Sequence, residues 1–374
     1  MLSRLMRILY GVNGEGMGHA TRSEVVIGSL LGSNDVRVVA SGAAYRHLRG
    51  RLPRVDEIFG PTFAMEEGEI RRWATVRQNV QHAFGELPDT VKRWVREVDQ
   101  WKPDVVISDF EPLAGVYARS TRTPLIAVDN INMLDRCRHD AEIIGAQRQD
   151  YLLARAVAHS MVPGAVEYII TTFFEPPLAR GGTTLVPPII RPEIVAARSE
   201  RGEHLVVYSS GDPKLLDALH AVGVPARVYG MRGGPEEVVV DGCVELRPRS
   251  SEDFVESLRT ARGVIAGGGF SLLSEAIYLG KPILAVPLHG QFEQRMNARY
   301  VQRLGYGLCA DEVDPEVLRE FVQRLPEFEA ALEGYEQDGN ARTLAAISER
   351  ATEAAAAGAR ELRRARWAAR RVAR

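Results

Sequence analysis

Residues 11–23, GVNGEGMGHATRS, set four glycines ahead of a histidine, His19. A glycine-rich turn after a strand lets the backbone approach a ligand closely and turns its N–H groups toward phosphate. An imidazole at the far end of the turn adds a group that exchanges a proton near neutral pH. A second such stretch, AGGGFSLLSEA at 266–276, leads Gly267, Gly268 and Gly269 into Phe270, Ser271, Ser274 and Glu275. The N–H groups at that helix start suit a diphosphate, and the Glu275 carboxylate suits the paired hydroxyls of a ribose. PLHGQFEQRMNA at 287–298 places Glu293 beside Gln294, an acceptor and a donor for sugar hydroxyls. SSGD, with Ser209, Ser210 and Gly211, follows another apolar run. Each stretch alone reads equally well as an ordinary loop. In this order they match the parts of one ligand: diphosphate, ribose and sugar.

Other glycine-loop chemistries fit less well. Gly14-x-Gly16-x-Gly18 lacks the spacing of the dinucleotide fingerprint, and the second apolar run ends in Ser41 and Gly42 where an acid should hold a cofactor ribose. No GxxxxGK[ST] occurs, which removes the P-loop.

The loops require strands that end beside them. RILYGV, DVRVVASG, PDVVISDF and PLIAVDNI are short apolar runs separated by helical spacing, as in βαβ units on a parallel sheet. A proline-rich, then charged, segment at 185–203 reads as a linker. The rhythm restarts after it, with HLVVYSSGD, ARVYG, GCVELRPR, GVIAGGGFS and KPILAVPL as strands and SEDFVESLRTA as a helix opened by Ser250 or Ser251. The expected organisation is an N-terminal Rossmann-like domain at 1–187, a linker at 188–203, a C-terminal Rossmann-like domain at 204–340 and a basic helix at 341–374. From Arg360 to Arg374 that helix has seven arginines against Glu361. It reads either as a solvated or domain-bridging helix or as a peripheral contact with anionic lipid.

Composition bounds the partners. The 374 residues carry a net charge of −2, which gives no general attraction to nucleic acid. Cys137, Cys243 and Cys309 are isolated, with no CxxC pair, so the expectation is reduced thiols in the cytoplasm, at most peripheral at the inner membrane face. No apolar stretch is long enough to span a bilayer. The chain contains no Asp-x-Asp, and no metal or resident cofactor is expected.

AGGGFSLLSEAIYLGKPILAVPLHGQFEQRMNA resembles the donor-binding signature of B-type glycosyltransferases. It is most similar to the branch of the peptidoglycan-precursor N-acetylglucosaminyltransferase, and more distantly to macrolide and plant small-molecule glucosyltransferases. RILYGVNGEGMGHATRS resembles a group of uncharacterised archaeal and bacterial glycosyltransferase-like proteins. The resemblance covers residues 7–23 and about 204–310 and is thin from 60 to 190. It implies a GT-B fold, α/β, with two Rossmann-like domains facing each other across a cleft, and a UDP-sugar as co-substrate with a hydroxyl acceptor. On the matching positions, Glu275 would hold the ribose. Ser210 and Gly211, with Gly268 to Ser271, would hold the donor diphosphate, and Ser209, with Gly16 and Gly18 of the first loop, would be further donor-binding residues. Arg247 would lie by the base, and Glu293 and Gln294 would contact the transferred sugar. Many relatives have Asp-Gln or Gln-Gln there, so Glu293 leaves the sugar open.

An inverting, metal-independent transfer needs a base for the acceptor hydroxyl, and His19 is suited to it. His19 could equally bind acceptor or phosphate without taking a proton. Asp109, at the end of VVISD, matches the aspartate that orients the histidine in plant-type relatives; it could equally cap the helix that starts at Pro112. Glu15, Glu111 and Asp129 are further acceptor-side candidates. Trp73, Trp94 and Trp101 could stack on an acceptor or pack helices onto the sheet. His82, His139 and His159 lack metal-ligand spacing. The alternatives to transfer are a nucleotide-sugar 2-epimerase on the same fold and a non-catalytic nucleotide-sugar binding module.

Overall fold

The computed structural model of the chain describes residues 4–58, 65–66, 69–70, 89–209, 212–231, 234–248 and 251–372. The apolar runs of the N-terminal half form β1 (Met6–Val12), β2 (Asn34–Ala40), β3 (Val55–Glu57), β6 (Val105–Asp109), β7 (Leu125–Asp129), β8 (Glu167–Thr171) and β9 (Thr183–Val186). Between β3 and β6 in sequence lies a small antiparallel pair, β4 (Met65–Glu66) with β5 (Glu69–Ile70). The seven strands make one sheet in the order β3-β2-β1-β6-β7-β8-β9, with every pairing parallel. Every residue of β6 and β7 is buried, as expected for a sheet covered on both faces. The order reverses between β1 and β6, whose last residues Val12 and Asp109 are register partners. In open α/β sheets the crevice at the carboxyl ends of such a strand pair is where ligands bind.

The second half repeats the architecture with β10 (Leu205–Tyr208), β11 (Ala226–Tyr229), β12 (Val239–Asp241), β13 (Val244–Leu246), β14 (Gly263–Ala266), β15 (Ile283–Ala285) and β16 (Gly307–Cys309). Their order is β12-β13-β11-β10-β14-β15-β16, parallel except for β12 against β13. Here the order reverses between β10 and β14, where Tyr208 is the partner of Ala266. Ser209 and Gly267 are therefore the next residues on either side of that point.

The chain divides into two compact units that do not follow the sequence boundaries. Residues 140–151 belong to the second unit. Arg299 holds them there by donating to the Ile143 and Ile144 carbonyls at 2.8 and 2.7 Å, and Tyr151 packs on Phe292 at 5.4 Å between ring centres. The segment from Ile190 to 203 also belongs to this unit rather than standing free, with Ser199 and Glu200 bonded to Leu279 and Lys281.

The C-terminal helix Ala341–Val372 packs on the first unit. Ile347, Ala351 and Ala354 enter the core formed by β1, β2, β6 and β7. Gly358 lies so close to the Pro124 ring that an added Cβ would sit 2.6 Å from it. Beyond this contact Arg360, Glu361 and Arg364 are exposed. The other side chains of the expected basic run lie outside the description, as do Trp73, His82 and Ser250. Among the described residues, no helix is long and apolar enough to cross a membrane.

Trp94 is buried against Tyr117, and Trp101 donates to Asp35 at 2.9 Å, so both pack their helix onto the sheet. Replacing Ile347 with Ala should remove about 2–5 kcal/mol from the first unit, read as a lower urea midpoint for its unfolding.

Candidate active site

The loop after β1 is built by close backbone approach. An added Cβ on Gly14 would lie 2.3 Å from the Ser41 hydroxyl, and the Gly14 carbonyl accepts from the Ala43 N–H. Gly16, with φ +75°, is the N-cap of the helix Met17–Leu31 and supplies no capping side chain. The first-turn N–H groups of that helix, Gly18 included, therefore receive no cap from the preceding residue. Asn13 ties this loop to the end of β6. Its N–H donates to the Asp109 carbonyl at 3.1 Å, its Nδ2 to the Phe110 carbonyl at 2.9 Å, and its Oδ1 accepts from the Glu15 N–H. Phe110 itself is held at φ +55°, an uncommon conformation for a bulky residue, and its ring stacks on His19.

His19 and Asp109 meet at this point. His19 Nδ1 is 2.8 Å from Asp109 Oδ1. Arg22, one helical turn after His19, donates through Nε to Oδ2 at 2.8 Å and through a terminal nitrogen to Oδ1. The same terminal nitrogen is 2.8 Å from His19 Nδ1. The Ser23 hydroxyl completes the set, donating to Oδ2 at 2.9 Å. Asp109 is 1% exposed. Burial alone would raise its carboxyl, but Arg22 and His19 outweigh it and hold the group at about 2. Burial, and then Arg22, push the His19 imidazole below its ordinary value; Asp109 and Glu15 pull the other way.

The neighbouring carboxylates have local duties. Glu111, not Asp109, caps the helix Pro112–Thr121, accepting from the Leu113 and Ala114 N–H groups. Its burial pushes it up to about 7. Asp129 closes a turn with the N–H and side chain of Asn132, and burial pushes it up to about 6. His139 and His159 bond the Met133 carbonyl and Asp135.

In the second unit the glycines again serve backbone approach. An added Cβ on Gly268 would lie 2.0 Å from the Gln294 carbonyl oxygen. Asn297 Nδ2 donates to the Gly268 carbonyl at 3.1 Å. Gly269 caps the helix Phe270–Tyr278 without a side-chain bond; Phe270 is buried and Ser271 half-buried. Gln294 holds its own loop, accepting from the Leu288 N–H at 3.2 Å and donating to Gln291. Glu293 is half-buried on the same turn.

Glu275 is 5% exposed and receives a two-pronged bond from Arg191, at 2.6 and 2.8 Å. Burial pushes its carboxyl up and the Arg191 fork pulls it down. Arg247 is engaged by Glu245 and Asp253. Ser209 continues the sheet by donating its N–H to the Tyr229 carbonyl; Ser210 and Gly211 lie outside the described residues. Among the described residues, no group of three His, Cys, Asp or Glu gathers as a metal site.

Sequence reasoning did not single out Asn13, Arg22, Ser23, Phe110, Arg191 or Asn297. Arg22 had a visible signal, since its spacing of three from His19 puts both on one helix face.

Solved structures share this architecture. The glycotransferase of kitacinnamycin aligns over 92% of this chain and 99% of its own, with a TM-score of 0.67 and 17% identity. The spinosyn rhamnosyltransferase complexed with thymidine diphosphate aligns over the same shares, with a TM-score of 0.62 and 17% identity. The fold is thus the two-domain GT-B fold of glycosyltransferases. The profile of Glycosyl transferase family 1 matches residues 6–326, and the chain belongs to that family. An uncharacterised glycosyltransferase of Methanosarcina acetivorans is 24% identical, over 87% of this chain and 91% of its own. The protein is a glycosyltransferase.

Gly268→Ala should lower the thermal unfolding midpoint of the second unit by several degrees, because the clash is with backbone and not with a movable side chain. Differential scanning calorimetry would show it.

Proposed function

We propose that this glycosyltransferase transfers a sugar from a nucleoside-diphosphate donor, UDP-linked, to a hydroxyl acceptor with inversion at the anomeric carbon. The observation that carries this reading is the half-buried His19–Asp109 contact of 2.8 Å at the carboxyl ends of β1 and β6. With Nδ1–H donating to Asp109, Nε2 has a lone pair for the acceptor proton. The acceptor oxygen then attacks the anomeric carbon. The bond from that carbon to the diphosphate oxygen breaks, and the electron pair leaves with the diphosphate.

The leaving group's charge is assigned to the backbone N–H groups of the glycine loops and the start of the Phe270–Tyr278 helix, with no metal in the step. Glu275 keeps lone pairs beyond those given to Arg191 and is assigned the ribose. Gln294 and Glu293 are assigned the sugar; contact through Gln294 would exchange its bond to Gln291 for one to a hydroxyl. The thymidine diphosphate bound by the spinosyn rhamnosyltransferase supports a pyrimidine base. The signature's similarity to the peptidoglycan-precursor branch supports uracil over thymine. Membership of a glycosyltransferase family speaks against the 2-epimerase alternative.

Two measurements test the reading. In a thermal-shift series with UDP, GDP, dTDP, ADP and NAD, UDP should raise the midpoint most, with or without magnesium. A larger shift with another diphosphate would replace the base. A shift with NAD alone would remove the donor site. His19→Ala should reduce turnover by about 10²–10⁴-fold while leaving the UDP shift intact. Unchanged turnover would remove His19 from the proton transfer.

A further inference from the structure

A half-buried histidine beside a buried aspartate has a built-in difficulty as a base. The carboxylate orients the ring, but its charge also favours the imidazolium. A ring that starts protonated has no lone pair to offer. This structure adds a third member that changes the balance.

Arg22 lies on the same face of the Met17–Leu31 helix as His19, with its side chain nearly as buried as that of Asp109. Its guanidinium reaches both carboxylate oxygens, and Ser23 donates to one of them. Within the Arg22–Asp109 pair one cation and one anion therefore cancel while the ring is neutral. A proton on His19 would bring buried net charge, which a low-dielectric site resists. The other groups around the ring are Glu15 from the preceding loop and Phe110 from the end of β6. Behind Asp109, Tyr10 of β1 and Asp129 of β7 complete the surroundings.

We propose that Arg22 is a positioning residue for the transfer reaction: it takes both oxygens of Asp109, fixes the carboxylate plane for Nδ1–H, and keeps the His19 ring uncharged and ready to accept a proton at Nε2. This rests on the reading of His19 as the base. Arg22 touches neither donor nor acceptor in this role; it acts through Asp109 and through its own charge, which stands 2.8 Å from His19 Nδ1.

The test is an NMR titration of the full chain labelled with carbon-13 at the histidine Cε1 positions. The His19 signal is identified by its loss in His19→Ala. In the wild type its midpoint should lie below 6.5, the ordinary histidine value. In Arg22→Gln it should rise by about one pH unit or more, because burial alone then opposes the pull of Asp109. Arg22→Lys, which restores the charge, should bring the midpoint back toward the wild-type value.

A structural salt bridge with no influence on the ring would leave the midpoint of a folded Arg22→Gln protein unmoved, and that result overturns the proposal. A wild-type midpoint above 6.5 overturns it too, and needs no variant should Arg22→Gln fail to fold. The base reading fails separately, through unchanged turnover in His19→Ala. The pH dependence of turnover follows the same sign. The neutral ring is lost as pH falls through the His19 midpoint, so the acidic limb of the activity profile should move to higher pH in Arg22→Gln.

Discussion

Much of the first unit's chemistry depends on one buried anion. Asp109 ends a fully buried strand with almost no access to water, and an isolated carboxylate could not remain charged there. It is charged because Arg22, His19 and Ser23 converge on it from the helix that follows β1, while Asn13 binds the backbone just beside it. The carboxylate thus fixes the rotation of the helix that carries His19, the seat of the glycine loop and the end of β6. In the proposed reaction the same contacts serve folding and proton transfer, which would make the group costly to remove for two reasons.

In the proposed reaction the second unit has a different task, that of accommodating the negative charge of the donor. Its means is absence of side chains. Gly268 approaches the Gln294 carbonyl more closely than any Cβ permits, which seats the start of the Phe270–Tyr278 helix on the first turn of the helix Phe292–Arg303. The helix start is capped by Gly269, which has no side chain of its own to bond the first N–H groups. Glu275, one turn further on, is the acidic exception, and Arg191 balances it. A cation supplied by the segment preceding the second sheet lets a carboxylate stay buried beside a loop suited to anions.

The sequence made the strands and loops legible because parallel strands buried on both faces read as continuous apolar runs. Their glycines mark places where a side chain would collide. His19 and Asp109 could be named from residue type and strand ends. What stayed hidden was pairing over distance: His19 and Asp109 are 90 residues apart, and Glu275 and Arg191 84. Arg22 looked like one more helix arginine because its partner lies on another strand. Arg191 sat in a stretch whose prolines suggested a linker. Residues 140–151 gave no signal of belonging to the second unit, since the Arg299 side chain that holds them bonds only to backbone carbonyls and a glutamine. The C-terminal helix was legible as a helix, but not its seat against β6 and β7, because alanine-rich faces carry little periodic signal.

The proposed proton transfer requires Asp109 to hold His19 through Nδ1, with Nε2 bare. Arg22 makes this a real alternative to be decided, because its guanidinium also stands 2.8 Å from Nδ1 and could donate to it. Long-range proton–nitrogen NMR correlations of the His19 ring in its neutral form measure the tautomer directly. The account predicts a proton on Nδ1, donated to Asp109, and none on Nε2. A proton on Nε2, with Nδ1 accepting from Arg22, would make the exposed nitrogen a donor and contradict the assignment of His19 as the base.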